Sequence, residues 1–141
     1  MHTTPLRAFL AGARAEVPIL VGTVPFGLIY GVAALQAGIP APLAQAMSLI
    51  IFAGSAQFVT AQLVGLGIPA LIIILTGGVI NLRHLLYSAS VAPYTRSLRL
   101  PWKMILAYLL TDEAYAIAII HYRETDAATP HREWFFLGAG M

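Results

Sequence analysis

Arg83 and Asp112 are the side chains best placed to do chemistry, because each sits inside an otherwise apolar run. An ionisable group near the centre of a bilayer costs at least about 2.5 to 3.5 kcal/mol, so it is paired or faces a wet cavity. A guanidinium in that setting attracts a carboxylate. A carboxylate there binds an ammonium group or exchanges a proton. Asn81 and His84 flank the arginine in an Asn81-Leu82-Arg83-His84 motif, and Glu113 follows the aspartate. Imidazole is the side-chain type suited to carrying protons under physiological conditions, which makes His84 a candidate proton carrier, although a lone histidine beside an arginine is more often a hydrogen-bonded structural group. The competing structural reading makes Arg83 and Asp112 or Glu113 a fixed ion pair.

Two further motifs pair polar or small residues with helix-breaking chemistry. Pro25-Phe26-Gly27 lies in an apolar stretch, where proline deletes one intrahelical hydrogen bond and glycine adds backbone freedom, predicting a kinked or broken helix. Gly27 and Gly31 also form a GxxxG spacing, so close helix packing is the alternative. Phe52-Ala53-Gly54-Ser55-Ala56-Gln57-Phe58 predicts a second interruption with a buried amide. Broken helices suit a zwitterion: half-helix N-termini present free N–H groups to a carboxylate, and freed carbonyls hold a cation. In the structural alternative, Ser55 and Gln57 only hydrogen-bond between helices, worth about 1 kcal/mol each.

Catalytic readings are thin. Ser55 and His84 have the residue types of a serine hydrolase dyad, but no acid orients the histidine and no partner motif accompanies the serine. The chain has no cysteine, no phosphate-binding or dinucleotide fingerprint, and no metal spacing among His2, His84, His121 and His131. The expectation is a protein that is not an enzyme and carries no cofactor.

The elements that must position these residues follow from composition. Of 141 residues, 59% are apolar and 10% charged, far below the roughly 25% charge of soluble domains. No Asp, Glu, Lys or Arg occurs between Glu16 and Arg83, a length that calls for about three crossings of about 20 residues each. The expected architecture is an all-α, polytopic membrane domain over 1–141. Its segments are about 17–37, 43–66, 69–92, 102–120 and a truncated 134–141, so the sequence reads as part of a longer protein. Residues 2–16 read as a short interfacial arm. Pro93 is expected to end the third segment. A continuous fourth segment would put Asp112 at its centre, on one face with Tyr108 and Tyr115.

Orientation follows from lysine and arginine placement. Four full crossings from a cytoplasmic N-terminus put Arg7, Arg14, Arg123 and Arg132 inside against Arg96, Arg99 and Lys103 outside, which is nearly no bias. If Asn81–His84 is instead a turn between half-helices of a re-entrant pair, the inside gains Arg96, Arg99 and Lys103 and keeps Arg7 and Arg14. That arrangement fits the positive-inside rule better. Irregular backbone at membrane depth must then line a path rather than face lipid. The dispersed basic residues form no tract suited to nucleic acid.

Pro25-Phe26-Gly27 with Gly31, the run Ser48 to Phe58, Asn81-Leu82-Arg83-His84 followed by Leu85-Leu86-Tyr87, and Thr111-Asp112-Glu113 occur in an order that resembles the AzlC family. These motifs span most of the chain. The family is that of the large membrane subunit of bacterial branched-chain amino acid exporters. The resemblance implies a multi-pass inner-membrane permease moving leucine, isoleucine and valine outward, with methionine as a further candidate, together with a small hydrophobic AzlD-type subunit. With no nucleotide-binding motif, coupling to an ion gradient is expected. The runner-up is a non-transporting structural or regulatory subunit in which Arg83 and Asp112 hold a complex together.

Overall fold

The computed structural model describes residues 4–51, 53–125 and 129–141. Phe52, in the expected interruption, and His2 lie outside the described residues. All regular structure in the described residues is helical, in the order α1 (Pro5–Gln36), α2 (Ala41–Ile50), α3 (Gly54–Gly65), α4 (Ala70–Asn81), α5 (Arg83–Thr95), α6 (Leu100–Tyr108), α7 (Asp112–Glu124) and α8 (Arg132–Ala139). Two stretches, Pro5–Gln36 and Ala70–Thr95, are long and apolar enough to cross a membrane.

The expected turns after the first two segments are present. Gly38 and Gly67 adopt φ of 80° and 68°, the left-handed region that glycine enters without penalty, and Pro40 and Pro69 then start the next helices. Other expectations are corrected. The arm is not separate from the first segment, because α1 begins at Pro5 and carries the chain straight into the apolar run. Nor does Pro25 break it: α1 continues through both Pro18 and Pro25 to Gln36. A proline deletes one bond of the ladder, and the flanking turns hold the helix across the gap. For the same reason α5 runs past Pro93 to Thr95.

The chain divides into two compact units. One comprises residues 21–83. Its core gathers Tyr30, Ala34, Ile39, Ala44 and Ala61, with Met47 and Phe58 packed against it, and α3 lies along α4. The small side chains let backbones approach closely, the packing mode of helices that lack a hydrophobic drive to associate in lipid.

The other unit comprises residues 1–20 and 84–141. Val91, Leu106, Leu110, Ala114, Ala118, Tyr122 and Phe136 form its core, edged by Tyr87, Tyr94, Trp102 and Tyr115. Ala8, Gly12 and Glu16, spaced four apart, make one buried stripe on α1. A Cβ on Gly12 would collide with the Phe135 carbonyl of α8, and one on Gly138 with the Phe9 carbonyl of α1. These reciprocal glycines set the closeness of α1 and α8.

Large apolar side chains remain exposed along α1, α2, α4 and the first part of α5, among them Val21, Leu28, Ile50, Leu71, Ile74, Val79 and Leu86. Patches of that extent call for lipid or another protein surface to cover them.

Candidate functional site

Three breaks in the helical path fall at the polar motifs. The first lies at Ala53, whose extended backbone (φ −142°, ψ 100°) separates α2 from α3. Gly54, Ser55 and Gln57 thereby occupy the opening turn of α3, which has no side-chain cap. The second is a single residue, Leu82, between Asn81 at the end of α4 and Arg83 at the start of α5. Leu82 keeps right-handed helical angles of −56° and −24°.

The third break corrects the expected fourth segment. The chain leaves α6 at Leu109, makes a tight turn in which the Thr111 N–H donates to the Leu109 carbonyl at 2.9 Å, and restarts at Asp112. Thr111 caps α7 by accepting the Ala114 N–H at 3.1 Å. Asp112 and Glu113 are therefore the first two residues of a helix, not the centre of one, and Tyr108 belongs to the preceding helix. Carboxylates in a first turn are favoured by the helix dipole, by about 0.3 to 1 kcal/mol each. Threonine followed by two acids is an N-terminal signal readable in the sequence, and the length of the apolar run masked it.

Within the unit of residues 21–83, Gln57 is buried, 6% exposed, as expected. Its Nε2 donates to Ser48 Oγ at 2.8 Å, bridging α3 to α2. The Ser48 hydroxyl donates in turn to the Ala44 carbonyl at 3.5 Å, which also accepts the Tyr30 hydroxyl at 3.1 Å. A polar chain thus runs from α3 through α2 to α1. Tyr30 was not singled out in the sequence, and Ser48 entered there only as the first residue of the run Ser48 to Phe58. Ser48, Tyr30, Gln45, Gly27 and Gly31 line an open cleft of about 250 Å³. A Cβ on Gly27 or Gly31 would meet nothing within 4 Å, so these glycines border the cleft and do not pack against a helix in this unit. Pro25 and Ser55 are exposed on their helices. Gly54 lies under the Phe26 ring, where a Cβ would approach Cε1 to 2.7 Å, and Phe26 packs on Phe58 at 5.4 Å. Asn81 and Arg83 are half-buried.

In the unit of residues 1–20 and 84–141, His84 opens a row of rings. Its imidazole meets Tyr87 edge-on at 5.7 Å, and Tyr87 stacks on Tyr115 at 4.3 Å and 12°. The Tyr115 hydroxyl donates to Ser90 Oγ at 3.1 Å. This row links α5 to the first turns of α7, next to Asp112 and Glu113. Among the described residues, no three His, Cys, Asp or Glu side chains gather in a way that could hold a metal ion.

Comparison with known proteins gives the chain its family. It is 33% identical over 120 residues to an uncharacterized membrane protein of Archaeoglobus fulgidus, covering 84% of this chain and 52% of that protein. Against the inner membrane protein YgaZ of Escherichia coli, identity is 30% over 111 residues, covering 78% of this chain and 45% of the relative. The branched-chain amino acid transport protein AzlC of Bacillus subtilis is 32% identical over 129 residues, covering 91% of this chain and 49% of its own length. The chain thus spans about half the length of the relatives it matches. No solved structure matches it. The model of the family described as AzlC protein matches residues 18–141, which include all three broken segments and their polar motifs, and the chain belongs to that family.

Proposed function

We propose that this chain is part of an inner-membrane permease that exports branched-chain amino acids by ion-coupled secondary transport. The observation that carries the reading is the coincidence of helix breaks with polar motifs in an otherwise apolar chain. Breaks at Ala53, Leu82 and Leu109–Thr111 put Gly54, Ser55 and Gln57, then Asn81, Arg83 and His84, then Asp112 and Glu113, at helix ends. Helix ends are where membrane transporters hold small zwitterions, since N–H groups left without intrahelical partners bind a carboxylate. The name of the Bacillus subtilis relative, a branched-chain amino acid transport protein, supports the substrate class.

In this reading the uncapped start of α3 and the Arg83 guanidinium attract the substrate carboxylate. Asp112 and Glu113 are the candidates for the coupling proton, and a small AzlD-type subunit completes the complex. Leucine efflux from preloaded cells, with the small subunit co-expressed, tests it at matched membrane levels. Export faster than in control cells and lost in Arg83→Ala is the expected result. A well-inserted wild-type complex without efflux returns the reading to a structural subunit.

The side of the membrane reached by the loop around residues 96–103 separates two topologies. Lysine and arginine placement supports the re-entrant pair. The helical angles at Leu82 and the apolar length of Ala70–Thr95 support a single crossing instead.

A further inference from the structure

Ring contacts fix the direction of the helices in the unit of residues 1–20 and 84–141. Tyr87 stacks on Tyr115 at 4.3 Å, and two turns further along both helices Tyr94 meets Tyr122 at 5.1 Å. Helices α5 and α7 therefore run parallel and in step. Trp102 meets Trp134 at 5.1 Å, and a Cβ on Gly140 would approach the Leu109 Cβ to 2.8 Å, so α6 and α8 are parallel as well. Arg132, at the start of α8, joins the two pairs, its guanidinium lying over Tyr94 and Tyr122 at 5.8 and 5.4 Å. The start of α6 thus lies at the same end of the unit as the end of α7. Between them the chain runs along α6, turns at Leu109–Thr111 and comes back along α7.

Neither limb is long enough to cross a bilayer. Helix α6 has 9 residues and α7 has 13, about 14 and 20 Å at the helical rise, against a hydrocarbon core of about 30 Å. The turn between them is sheltered by protein, the condition for irregular backbone at membrane depth. Leu109 and Leu110 are buried, and Gly140 rests on Leu109. The open end carries Arg96, Arg99, Lys103, Arg123 and Arg132, five of the eight basic residues of the chain, together with Tyr94, Trp102 and Trp134. Basic side chains among such rings mark a membrane interface. A crossing through 102–120 would instead divide those five residues between two faces.

We propose that α6 and α7 enter and leave the bilayer from one face as a re-entrant hairpin, with Thr111, Asp112 and Glu113 at its inner tip. Resting on the transport reading, this places both candidates for the coupling proton about half-way across the membrane, where transporters hold their substrates and ions.

Ser97 and Glu124 are exposed at the open end, so probes there leave the packing intact. In this chain without cysteine, Ser97→Cys and Glu124→Cys should react with an impermeant maleimide in the same preparation, intact cells or inverted vesicles. Reaction from opposite faces overturns the proposal. Nitroxides on the double variant in lipid vesicles should lie less than half as far apart as the about 37 Å that a straight helix from Leu100 to Glu124 would span. A separation near the full length overturns it equally. A nitroxide at Ile105→Cys, an exposed apolar position on α6, should be relaxed more by oxygen than by a water-soluble nickel chelate. The reverse would lay the pair on the membrane surface and remove the re-entrant placement. Leucine efflux, measured separately, keeps the two readings apart. A hairpin without efflux leaves the topology standing and removes export, whereas efflux with a crossing removes the hairpin alone.

Discussion

Gln57 on α3 and Ser48 on α2 are joined by a 2.8 Å hydrogen bond across the break at Ala53. The two halves of this segment are thus tied by the groups its interruption brings together. A helix broken in an apolar setting gives up backbone hydrogen bonds, and such a tie offsets part of that cost.

Gln57→Leu should therefore destabilise the chain although it makes the segment more apolar. A double-mutant cycle with Ser48→Ala, read from unfolding in detergent or bilayer, should give a coupling of about 0.6 to 1.7 kcal/mol. Additive losses would mean that the bond does not form in the lipid-embedded protein.

The glycines divide into two kinds that spacing alone does not distinguish. Gly12 and Gly138 lie against carbonyls of the opposing helix, whereas Gly27 and Gly31 face open space. Gly12→Ala should cost about 1 to 3 kcal/mol through forced backbone shifts. Gly31→Ala should be neutral, or stabilising by up to about 1 kcal/mol from helix propensity. Thermal stability of the two variants in one detergent checks the ordering. Reversed effects would put a helix partner at Gly31.

Thr111 ends the turn between α6 and α7 by capping Ala114. Thr111→Ser should keep the cap, and Thr111→Val should lose about 0.5 to 2 kcal/mol at nearly equal volume. The comparison is made by unfolding under identical conditions. Equal stability of the two would mean that tertiary contacts alone hold the break.

Much of this architecture was legible because particular residues carry their physics locally. Gly38 and Gly67 before proline announced their turns, and the small residues around Gly54 announced the first break. Other features were not, because competing terms outweighed the local signal. Pro25 looked like a break, yet one missing hydrogen bond is a small loss in a helix of 32 residues. Asp112 looked like the centre of a span because the apolar run around it is long, and the cap at Thr111 was overruled by that length. Glu16 looked like part of an interfacial arm. It lies on the buried Ala8–Gly12–Glu16 stripe, which at Gly12 meets α8, more than a hundred residues away in sequence, and no local pattern encodes that meeting.

The lack of cysteine makes the topology directly measurable, since one introduced thiol is the only one in the chain. Ser97 is exposed in the turn between α5 and α6, close to Arg96, Arg99 and Lys103. If α4 and α5 form a re-entrant pair, Ser97→Cys shares the side of the N-terminus and reacts with an impermeant thiol reagent only from the cytoplasm. A single crossing through Leu82 places it outside, with labelling in intact cells. The positive-inside rule predicts the first outcome, because it gathers Arg96, Arg99 and Lys103 with Arg7 and Arg14. The helical angles at Leu82 predict the second. Labelling from outside would mean that three basic residues lie on the disfavoured side, and the remaining length of the protein or its small partner would then have to supply the compensating orientation.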